Sequence, residues 1–503
     1  MCIRSFGRWV IPLLLSAFTL MATAPDTRVL EAAKLKDAGA VRQLLQQKAA
    51  VNVAAPDGMM ALHWAAHLDD LETAELLVSA GADVKVPNRY GVTPLTLACT
   101  NGGTAMVELL LKAGADPNTA LPEGETALMT AARTGRLSAV NALLARGADV
   151  SKQENFRGQT ALMWAAAEGH VAVVERLIEQ GADRRARSKS GFTPFLFAVR
   201  EGRTEVARAL LKAGVDVEEI LAPRVRRRTG ANEFSGPEGN SRALDLAVSN
   251  GHFELAAMLL DAGANPNDAG PGWTPLHTIT WVRKPGMGSN DPAPSGSGNM
   301  DSLELVKRFA AHGTDLNARM TKRTSAGGSR LNMIGATPFL MAARTGDAEL
   351  MRLLAQLGAD PLLPTAENTT PLMAAAGVGT RSPGEDAGTE SEALAAVKVA
   401  LELGNDVNAV DALGETALHG AAYKYLGSVV QLLSDKGARI DIWNQKNKAG
   451  WTPLRIAAGV HRGGNFMSSE ETAAVLRKVM SAAGVSMVVE PEVRANRTVR
   501  YPQ

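Results

Sequence analysis

The sequence predicts an all-α fold, a solenoid of stacked helix pairs joined by short β-hairpin loops. A unit of about 33 residues recurs along most of the chain, which is the pattern of a repeat architecture. Apolar residues make up 46% of the 503 residues and aromatic residues only 4%, so small and aliphatic side chains must fill the core. Successive units of the first half end at glycines spaced 33 or 34 residues apart, namely Gly81, Gly114, Gly147, Gly181 and Gly214.

Residues 158–190 are the most regular copy of the unit. Thr160 stands where a hydroxyl can cap the first amides of a helix, and several other copies place Pro directly after this Thr. Gly169 predicts the end of that helix, because glycine adopts the left-handed conformation without strain. Residues 171–178 then carry an apolar face at helical spacing, and Gly181 ends this second helix.

This unit of helix, turn, helix and hairpin resembles the ankyrin repeat. The landmarks T-P-L-H-x-A-A, G-H and L-L-x-x-G-A-D recur along residues 26–484. The resemblance implies a rigid stack whose hairpin tips and first helices form a long concave surface for binding other proteins. It also implies that His63, His277 and His419, at the T-P-L-H position, form hydrogen bonds between neighbouring repeats.

The pattern divides the chain into successive segments. Residues 26–57 hold a helix pair but lack the opening T-P-L, so we expect an N-terminal capping repeat. Regular repeats fill residues 58–239 and end in a basic hairpin insertion. Residues 240–449 continue the repeats with long loop insertions, and residues 450–486 form a C-terminal repeat or cap. Residues 487–503 show no helical pattern and are expected to be an extended tail.

The N-terminus has the pattern of a secretory signal peptide over residues 1–24. Arg4 and Arg8 precede an apolar run at residues 9–22, which is shorter than the roughly 20 residues that span a bilayer. We therefore expect an exported, periplasmic or secreted protein with no transmembrane span once the leader is removed. The cleavage position stays open, because Pro25 would directly follow the small-residue site.

The net charge gives information about the partner, and the cysteine content gives information about the core. The chain has 53 basic and 52 acidic residues, a net charge of +1, which gives no reason to expect binding to nucleic acid or to an anionic membrane. Cys99 is the one cysteine outside the leader, and its apolar neighbours predict a buried structural thiol. We expect a monomer, since nothing in the pattern indicates self-association.

No motif predicts catalysis, a cofactor or a metal site. His63 and His67 have the spacing of a helical metal pair, but no third ligand follows and no Glu lies between them. The G-M-G at residues 286–288 and the G-V-G at residues 377–379 do not follow a strand, so neither is a nucleotide-binding fingerprint. An enzyme with a site in the insertions, at His461 or at residues 286–291, is the weakest hypothesis.

Recognition of another protein remains as the function. Residues beside the repeat-opening glycines are expected to point into the concave surface, and aromatic and Arg side chains are frequent binding hot spots. This rule selects Arg89, Tyr90, Phe156, Arg157, Lys189, Phe192, Trp273 and Trp451. We expect the hairpin aromatics to be exposed, because their neighbours are charged or small.

The basic insertion at residues 220–239 is a second candidate surface. It contains Arg224, Arg226, Arg227 and Arg228, and long irregular segments inside a repeat array are often functional. A solvated loop without a binding role is the alternative.

The sequence thus favours an exported bacterial ankyrin-repeat protein, a non-catalytic scaffold that binds a protein partner in the cell envelope. Two alternatives stay open at this point. One is an accessory or protective subunit of an exported enzyme or redox complex. The other is an effector delivered into a host cell.

Overall fold

The computed structural model describes residues 26–485 and 487, except for 102, 222–240, 286–292, 323–330, 382, 385 and 463–464. The chain forms two compact units. The first comprises the chain up to Thr130 together with Asn141–Ala148, and the second comprises Ala131–Val140 together with the chain from Asp149 onward. In both units short helices follow one another in pairs, which makes the fold all-α.

The first helix pairs belong to the first unit, and the fourth pair is divided between the units. They are α1 Arg28–Lys34 with α2 Ala38–Gln46, α3 Ala61–His67 with α4 Leu71–Ser79, α5 Pro94–Asn101 with α6 Thr104–Lys112, and α7 Ala127–Thr134 with α8 Leu137–Ala145.

The later pairs belong to the second unit. They are α9 Ala161–Glu168 with α10 Val171–Glu179, α11 Pro194–Arg200 with α12 Thr204–Lys212, α13 Ala243–Ser249 with α14 Phe253–Asp261, α15 Pro275–Arg283 with α16 Ser302–Ala311, α17 Pro338–Arg344 with α18 Ala348–Gln356, α19 Pro371–Ala376 with α20 Glu390–Glu402, and α21 Ala417–Lys424 with α22 Gly427–Asp435. A short helix α23 Ile440–Trp443 follows, and the last pair is α24 Pro453–Ala458 with α25 Glu470–Ala482.

Short polar side chains define where the helices begin. In the first helix of several pairs a Thr hydroxyl accepts a hydrogen bond from the third helical amide, as Thr160 does from Met163. Thr193 does the same for Leu196, and Pro194 occupies the first helical position. Both features were predicted from the T-P-L landmark.

Glycine is required at the turn between the paired helices. Gly169 ends α9 with a φ of 91°, the left-handed conformation that favours glycine. Gly135 has a φ of 72°, and a Cβ there would lie 2.5 Å from the His170 ring. The close approach lets His170 Nε2 hydrogen-bond to the Arg133 carbonyl at 2.9 Å. This glycine therefore serves both the turn and the packing of the next pair.

Three buried histidines join neighbouring pairs, as the resemblance implied. His63 Nε2 lies 3.2 Å from the Val92 carbonyl in the first unit. In the second unit His277 Nε2 lies 3.1 Å from the Ala336 carbonyl, and His419 Nε2 lies 3.3 Å from the Trp451 carbonyl. The prediction that these side chains are framework residues is confirmed.

The hairpin loops are tight turns rather than strands. Several tips are tied to the tip before them by one backbone hydrogen bond, for example from Lys189 N–H to the Arg157 carbonyl at 2.8 Å and from Arg89 N–H to the Asp57 carbonyl at 3.0 Å. Among the described residues the paired strands are β1 Val460–Arg462 and β2 Asn465–Met467, which form an antiparallel hairpin between α24 and α25. The sequence predicted only a loop there.

The core of each unit consists of small and aliphatic side chains, with a few large ones. In the first unit Leu77, Leu95 and Met106 are fully buried. Cys99 is buried as expected, and burial raises the pKa of its thiol to about 12. The second unit adds Phe195 and other large side chains to its core, namely Phe309, Phe339 and Trp443. No helix in the described part of the chain is long and apolar enough to cross a membrane.

The described part of the insertion after α15 folds back onto earlier helix pairs. Ser297 Oγ donates to the Gly202 carbonyl at 3.3 Å, and Asn299 N–H donates to Glu254 Oε2 at 3.1 Å. Gly296 has a φ of 61°, and a Cβ there would collide with the Gly251 carbonyl oxygen. The glycine and serine content of this insertion therefore permits close backbone contact.

The insertion between α19 and α20 is held by the partly buried Arg344 and the buried Lys424. Arg344 lies 3.6 Å from the Asp386 carboxylate, and Lys424 Nζ donates to the Ala387 carbonyl at 2.6 Å. Burial lowers the pKa of the Lys424 ammonium, and the nearby Asp386 charge opposes that effect. The sequence showed that this segment is an insertion but not what anchors it.

Candidate protein-binding site

Three consecutive hairpin tips of the second unit bring exposed apolar and basic side chains together. We define the tip surface as Phe156, Arg157, Arg187, Lys189 and Ile220. The first two residues lie on the tip before α9, the next two on the tip before α11, and Ile220 on the loop after α12.

A buried carboxylate shapes the first of these tips. Glu154 is only 7% exposed and accepts hydrogen bonds from the amides of Phe156 at 2.6 Å, Arg157 at 2.7 Å and Gln159 at 2.9 Å. Charge-assisted bonds of this kind fix a turn more strongly than neutral ones. The turn presents Phe156 to solvent with 76% of its surface exposed, and the Arg157 guanidinium lies 5.9 Å from the ring centroid. The turn thus holds an aromatic side chain in solvent beside a guanidinium group, a combination of residue types that is enriched in protein interfaces.

Lysine and arginine side chains connect this tip to the next two. Lys189 Nζ donates to the Asn155 carbonyl at 2.5 Å. Arg187 Nη1 donates to the Gly191 carbonyl at 2.8 Å and to the Ile220 carbonyl at 3.1 Å. Ile220 is 38% exposed and pairs with Arg242 in an isolated bridge. The three tips therefore form one ordered surface.

The carboxylates near the tip surface are occupied by local partners. Hydrogen bonds from Ser151 lower the pKa of Asp149, and Asp183 accepts from the Arg185 amide at 2.8 Å. Glu219 is hydrogen-bonded by the Thr193 hydroxyl, and burial raises its pKa. In the described part of the chain Arg157, Arg187 and Lys189 form no ion pair with a carboxylate, and the polar contacts of the Arg187 and Lys189 side chains are to backbone carbonyls.

The first unit has a similar but smaller feature. Tyr90 is 72% exposed on the tip before α5, and its amide donates to Asn88 Oδ1 at 2.9 Å. The adjacent Arg89 is exposed as well. The expectation that the hairpin aromatic residue is exposed is confirmed for Tyr90.

Phe192 was expected to be exposed, and that expectation is wrong. The residue is 7% exposed, and its ring lies 5.3 Å from the ring of Phe197 on α11. The Arg200 guanidinium covers both rings, at 5.0 Å from Phe192 and 4.9 Å from Phe197. Its partners lie on the following helix, so its charged and small sequence neighbours did not reveal the burial.

Two tryptophans predicted to lie on the binding surface are partly buried. Trp273 packs against Trp281 in a T-shaped contact of 5.8 Å and against the apolar cluster around Met333. The Trp451 carbonyl faces His419 Nε2, and the Trp451 amide donates to Asn447 Oδ1 at 3.0 Å. Both side chains retain some exposed surface, but neither stands free as Phe156 does.

Other predicted basic residues lie outside the described part of the chain. These are Arg224, Arg226, Arg227 and Arg228. Sequence reasoning also missed Arg187 and Ile220, which belong to the tip surface. Both residues could have been predicted from the sequence, because Arg187 lies two residues before Lys189 and Ile220 lies at the matching hairpin of the next repeat.

Two cavities of the second unit are weaker candidates for a binding site. A groove of about 990 Å³ lies between α12, α14 and the insertion 293–301. Its rim ions are paired, as Arg208 is with Glu205 at 3.5 Å and Arg308 with Asp261 at 2.5 Å. A second cavity of about 30 Å³ is lined by Glu367, Asp411 and Glu415 and has room for about one water molecule.

The described residues contain no group of three or more His, Cys, Asp or Glu side chains that could hold a metal ion. Several histidines are engaged with backbone carbonyls, as His170 and His252 are at 2.9 Å each, whereas His312 Nε2 lies 3.0 Å from Asp261 Oδ1.

Known protein families match much of the chain. Residues 29–121 and 128–220 match the family described as ankyrin repeats (3 copies), and residues 241–270 and 334–366 match the ankyrin repeat as a single unit. These matches include the tips that carry Tyr90, Phe156 and Lys189.

Several curated proteins are similar to part of the chain. Ankyrin repeat and SOCS box protein 16 of Homo sapiens is 37% identical over 265 residues, which are 52% of this chain and 47% of the human protein. The Mus musculus protein of the same name is 33% identical over the same length. E3 ubiquitin-protein ligase KEG of Arabidopsis thaliana is 26% identical over 314 residues, 18% of that protein. The chain thus spans about half the length, or less, of the curated relatives it matches.

Proposed function

Because this chain belongs to the ankyrin-repeat family, we propose that it is a non-catalytic scaffold that recognises a partner protein through its hairpin tips. The single observation that carries the proposal is the exposure of Phe156. The ring is held on a turn by three hydrogen bonds to Glu154 and is covered by no other helix pair. Aromatic side chains presented in this way are frequent binding hot spots.

The residues that hold the helix pairs together are different from the exposed residue Phe156. Helix caps, turn glycines and buried histidines account for the packing of each pair on its neighbours, and none of these contacts involves Phe156. A stack of this kind is stable as a sum of local interfaces, so the tip residues are free to serve binding. The scaffold recognises its partner by shape and charge alone.

We further propose that the scaffold acts in the cell envelope or outside the cell. The support is the leader pattern of residues 1–24, with Arg4 and Arg8 before a short apolar run. N-terminal sequencing of the protein recovered from its own cells tests this proposal. We expect a mature chain that begins close to residue 25, and a retained Met1 in a cytoplasmic fraction would contradict export.

Affinity capture with a matched set of variants tests the binding role. The unaltered protein is used to capture partners from the envelope fraction, and the dissociation constant of the recovered partner is measured for Phe156→Ala. We expect about tenfold weaker binding, or more, with an unchanged unfolding midpoint.

Leu35→Ala is the control for this experiment. Leu35 is 77% exposed at the end of α1 and lies on no hairpin tip, so its truncation should leave affinity and unfolding unaltered. If Phe156→Ala and Tyr90→Ala both bind the partner as tightly as the Leu35→Ala control, recognition through the tips is excluded.

A further inference from the structure

We propose that the tip surface binds an extended acidic segment of its partner, in which Asp or Glu residues lie between two apolar side chains. This inference rests on the proposed function and adds the chemical class of the ligand. It is carried by Arg157, Arg187 and Lys189, which form no ion pair with a carboxylate in the described part of the chain. In the sequence these cations are flanked by two exposed apolar residues, Phe156 and Ile220, on the same three tips.

The first two tips of the surface carry more basic than acidic residues. Residues 149–157 and 183–189 contain six Lys or Arg residues and three Asp or Glu residues. The third tip, residues 215–221, instead carries Asp216, Glu218 and Glu219, of which Glu218 pairs with Arg242 at 3.0 Å. The excess of positive charge is therefore confined to the first two tips, in a chain whose net charge is +1. A local excess of positive charge on an exposed, ordered surface attracts a ligand of opposite sign.

The three carboxylates on these tips are engaged in holding turns. Glu154 accepts from three amides, and Asp183 accepts from the Arg185 amide. Asp149 accepts from the Ser151 amide at 2.9 Å and from its hydroxyl at 2.6 Å, and lies 4.0 Å from Lys152 Nζ. These carboxylates leave the charge on Arg157, Arg187 and Lys189 available to a ligand.

Backbone carbonyls of the tips hold two of these cations in place. Arg187 and Lys189 donate to carbonyls of neighbouring tips, which fixes the side chains but does not neutralise them. Glu219, which is partly buried and bound to Thr193, lies near enough for the charges of Arg187 and Arg185 to oppose the rise in its pKa that burial causes. An Arg fork held in this way is suited to a carboxylate, because two parallel hydrogen bonds can form.

The apolar residues at the two ends set the pattern of the ligand. Phe156, 76% exposed, precedes the cations, and Ile220, 38% exposed, follows them on the third tip. The first two tips are joined by the backbone bond from Lys189 to Arg157, and the Arg187 side chain joins the second tip to the Ile220 carbonyl. We therefore expect a segment that crosses all three tips to be extended. The matching sequence has an apolar side chain at each end and acidic side chains between.

A protein segment fits this surface better than a nucleic acid. Single-stranded nucleic acids are bound by rows of aromatic side chains on which successive bases stack. Phe156 is the one aromatic residue of the tip surface, and the chain as a whole carries no excess of basic residues. Binding of an oligonucleotide is therefore an outcome that the experiment must separate from peptide binding.

Fluorescence anisotropy with a designed probe tests the inference on the full-length protein. The probe is a fluorescein-labelled peptide with a central run of Glu residues between two Leu residues, titrated at low and at physiological ionic strength. We expect binding that weakens as salt is added, and a loss of about tenfold or more in affinity for the double variant Arg157→Glu/Lys189→Glu. The neutral pair Arg157→Gln/Lys189→Gln should fall between.

Two controls make the result specific. Lys212→Glu/Lys398→Glu changes the net charge by the same amount at two exposed positions of the second unit, away from the tip surface, and should bind as the unaltered protein does. Thermal unfolding of each variant shows whether the fold is intact.

The inference is overturned if the peptide probe does not bind, or if Lys212→Glu/Lys398→Glu loses as much affinity as Arg157→Glu/Lys189→Glu. It is also overturned if a labelled single-stranded oligonucleotide binds more tightly than the peptide. The broader proposal stands or falls separately. Capture of a partner that depends on Phe156 but not on Arg157 and Lys189 would keep the scaffold role and reject the acidic ligand.

Discussion

The buried histidines show how single side chains join one helix pair to the next. His277 Nδ1 lies 2.9 Å from the Thr274 hydroxyl at the start of its own helix, while Nε2 faces the Ala336 carbonyl. His419 repeats the arrangement with Thr416 and Trp451. The T-P-L-H landmark predicted this role because each bond lies within one repeat or joins it to the next.

The pH dependence of stability follows from these bonds. Burial lowers the pKa of His277 and His419 to about 4, below the ordinary value of 6.5. Between pH 6.5 and 4 the unfolded chain therefore takes up protons that the folded chain does not. The stabilisation is complete above pH 6.5 and is lost as the pH falls, by about 1.4 kcal/mol per pH unit for each histidine.

His277→Gln tests this account, because glutamine does not titrate. We expect a loss of about 1–3 kcal/mol at pH 7.5 and a shallower decline of stability toward pH 4, measured by urea unfolding at several pH values. His67→Gln, at an exposed position, is the control and should leave stability at pH 7.5 nearly unaltered. A decline as steep in His277→Gln as in the unaltered protein would contradict the assignment.

Single aromatic residues were harder to predict. Phe156 and Phe192 stand at equivalent hairpins among similar neighbours, yet one is 76% exposed and the other 7% exposed. The difference arises from Phe197 and Arg200 on α11, which cover Phe192. Spacing along the chain finds positions on a tip, but contacts across the following helix decide which of them face solvent.

At the scale of elements, the helix pairs were predictable and the additions to them were not. Thr caps and repeating glycines fix the helices by local rules. By contrast, the hairpin β1 and β2 and the helix α23 have no counterpart in the repeat pattern. Trp443 of α23 is buried at 2% exposure, so this short helix serves packing. Local propensity in such short elements is too weak to reveal their structure from sequence.

The insertion after α12 can be removed without disturbing the pairs on either side of it. Leu221 N–H donates to the Ser241 carbonyl at 3.0 Å, and Ile220 pairs with Arg242, so the two ends of residues 222–240 are already adjacent. We expect that replacing residues 222–240 by Asn-Gly leaves the unfolding midpoint nearly unchanged, since this dipeptide closes a two-residue hairpin. Calorimetry measures the outcome.

The same deletion tests whether Arg224, Arg226, Arg227 and Arg228 contribute to recognition, as the sequence suggested. If they do, partner affinity falls in the shortened protein while its stability is kept. Unaltered affinity would mean that the insertion is a solvated loop without a binding role.

The insertion after α15 should behave differently. Gly296 has a φ of 61° and no room for a Cβ against Gly251. We expect Gly296→Ala to release residues 293–301 from the helix ends, because the substitution adds both strain and a collision. Hydrogen exchange at Asn299, whose amide donates to Glu254, would then speed up. Exchange as slow as in the unaltered protein would show that the loop tolerates the change.

At the scale of the whole molecule, the residues that specify the fold are distinct from those that are free to bind. Caps, turn glycines and histidines repeat in both units, and each is engaged within its pair or with the next one. Tyr90 in the first unit and Phe156 in the second are exposed and have no such role. A repeat array allows this separation, because its stability comes from interfaces between neighbours.

Comparing one framework variant and one tip variant tests this central claim most directly. Unfolding midpoint and partner dissociation constant are measured for His277→Gln and for Phe156→Ala. We expect His277→Gln to lower the midpoint and keep the affinity of the folded protein, and Phe156→Ala to keep the midpoint and weaken affinity about tenfold or more. Loss of stability in Phe156→Ala with unaltered affinity would contradict the account.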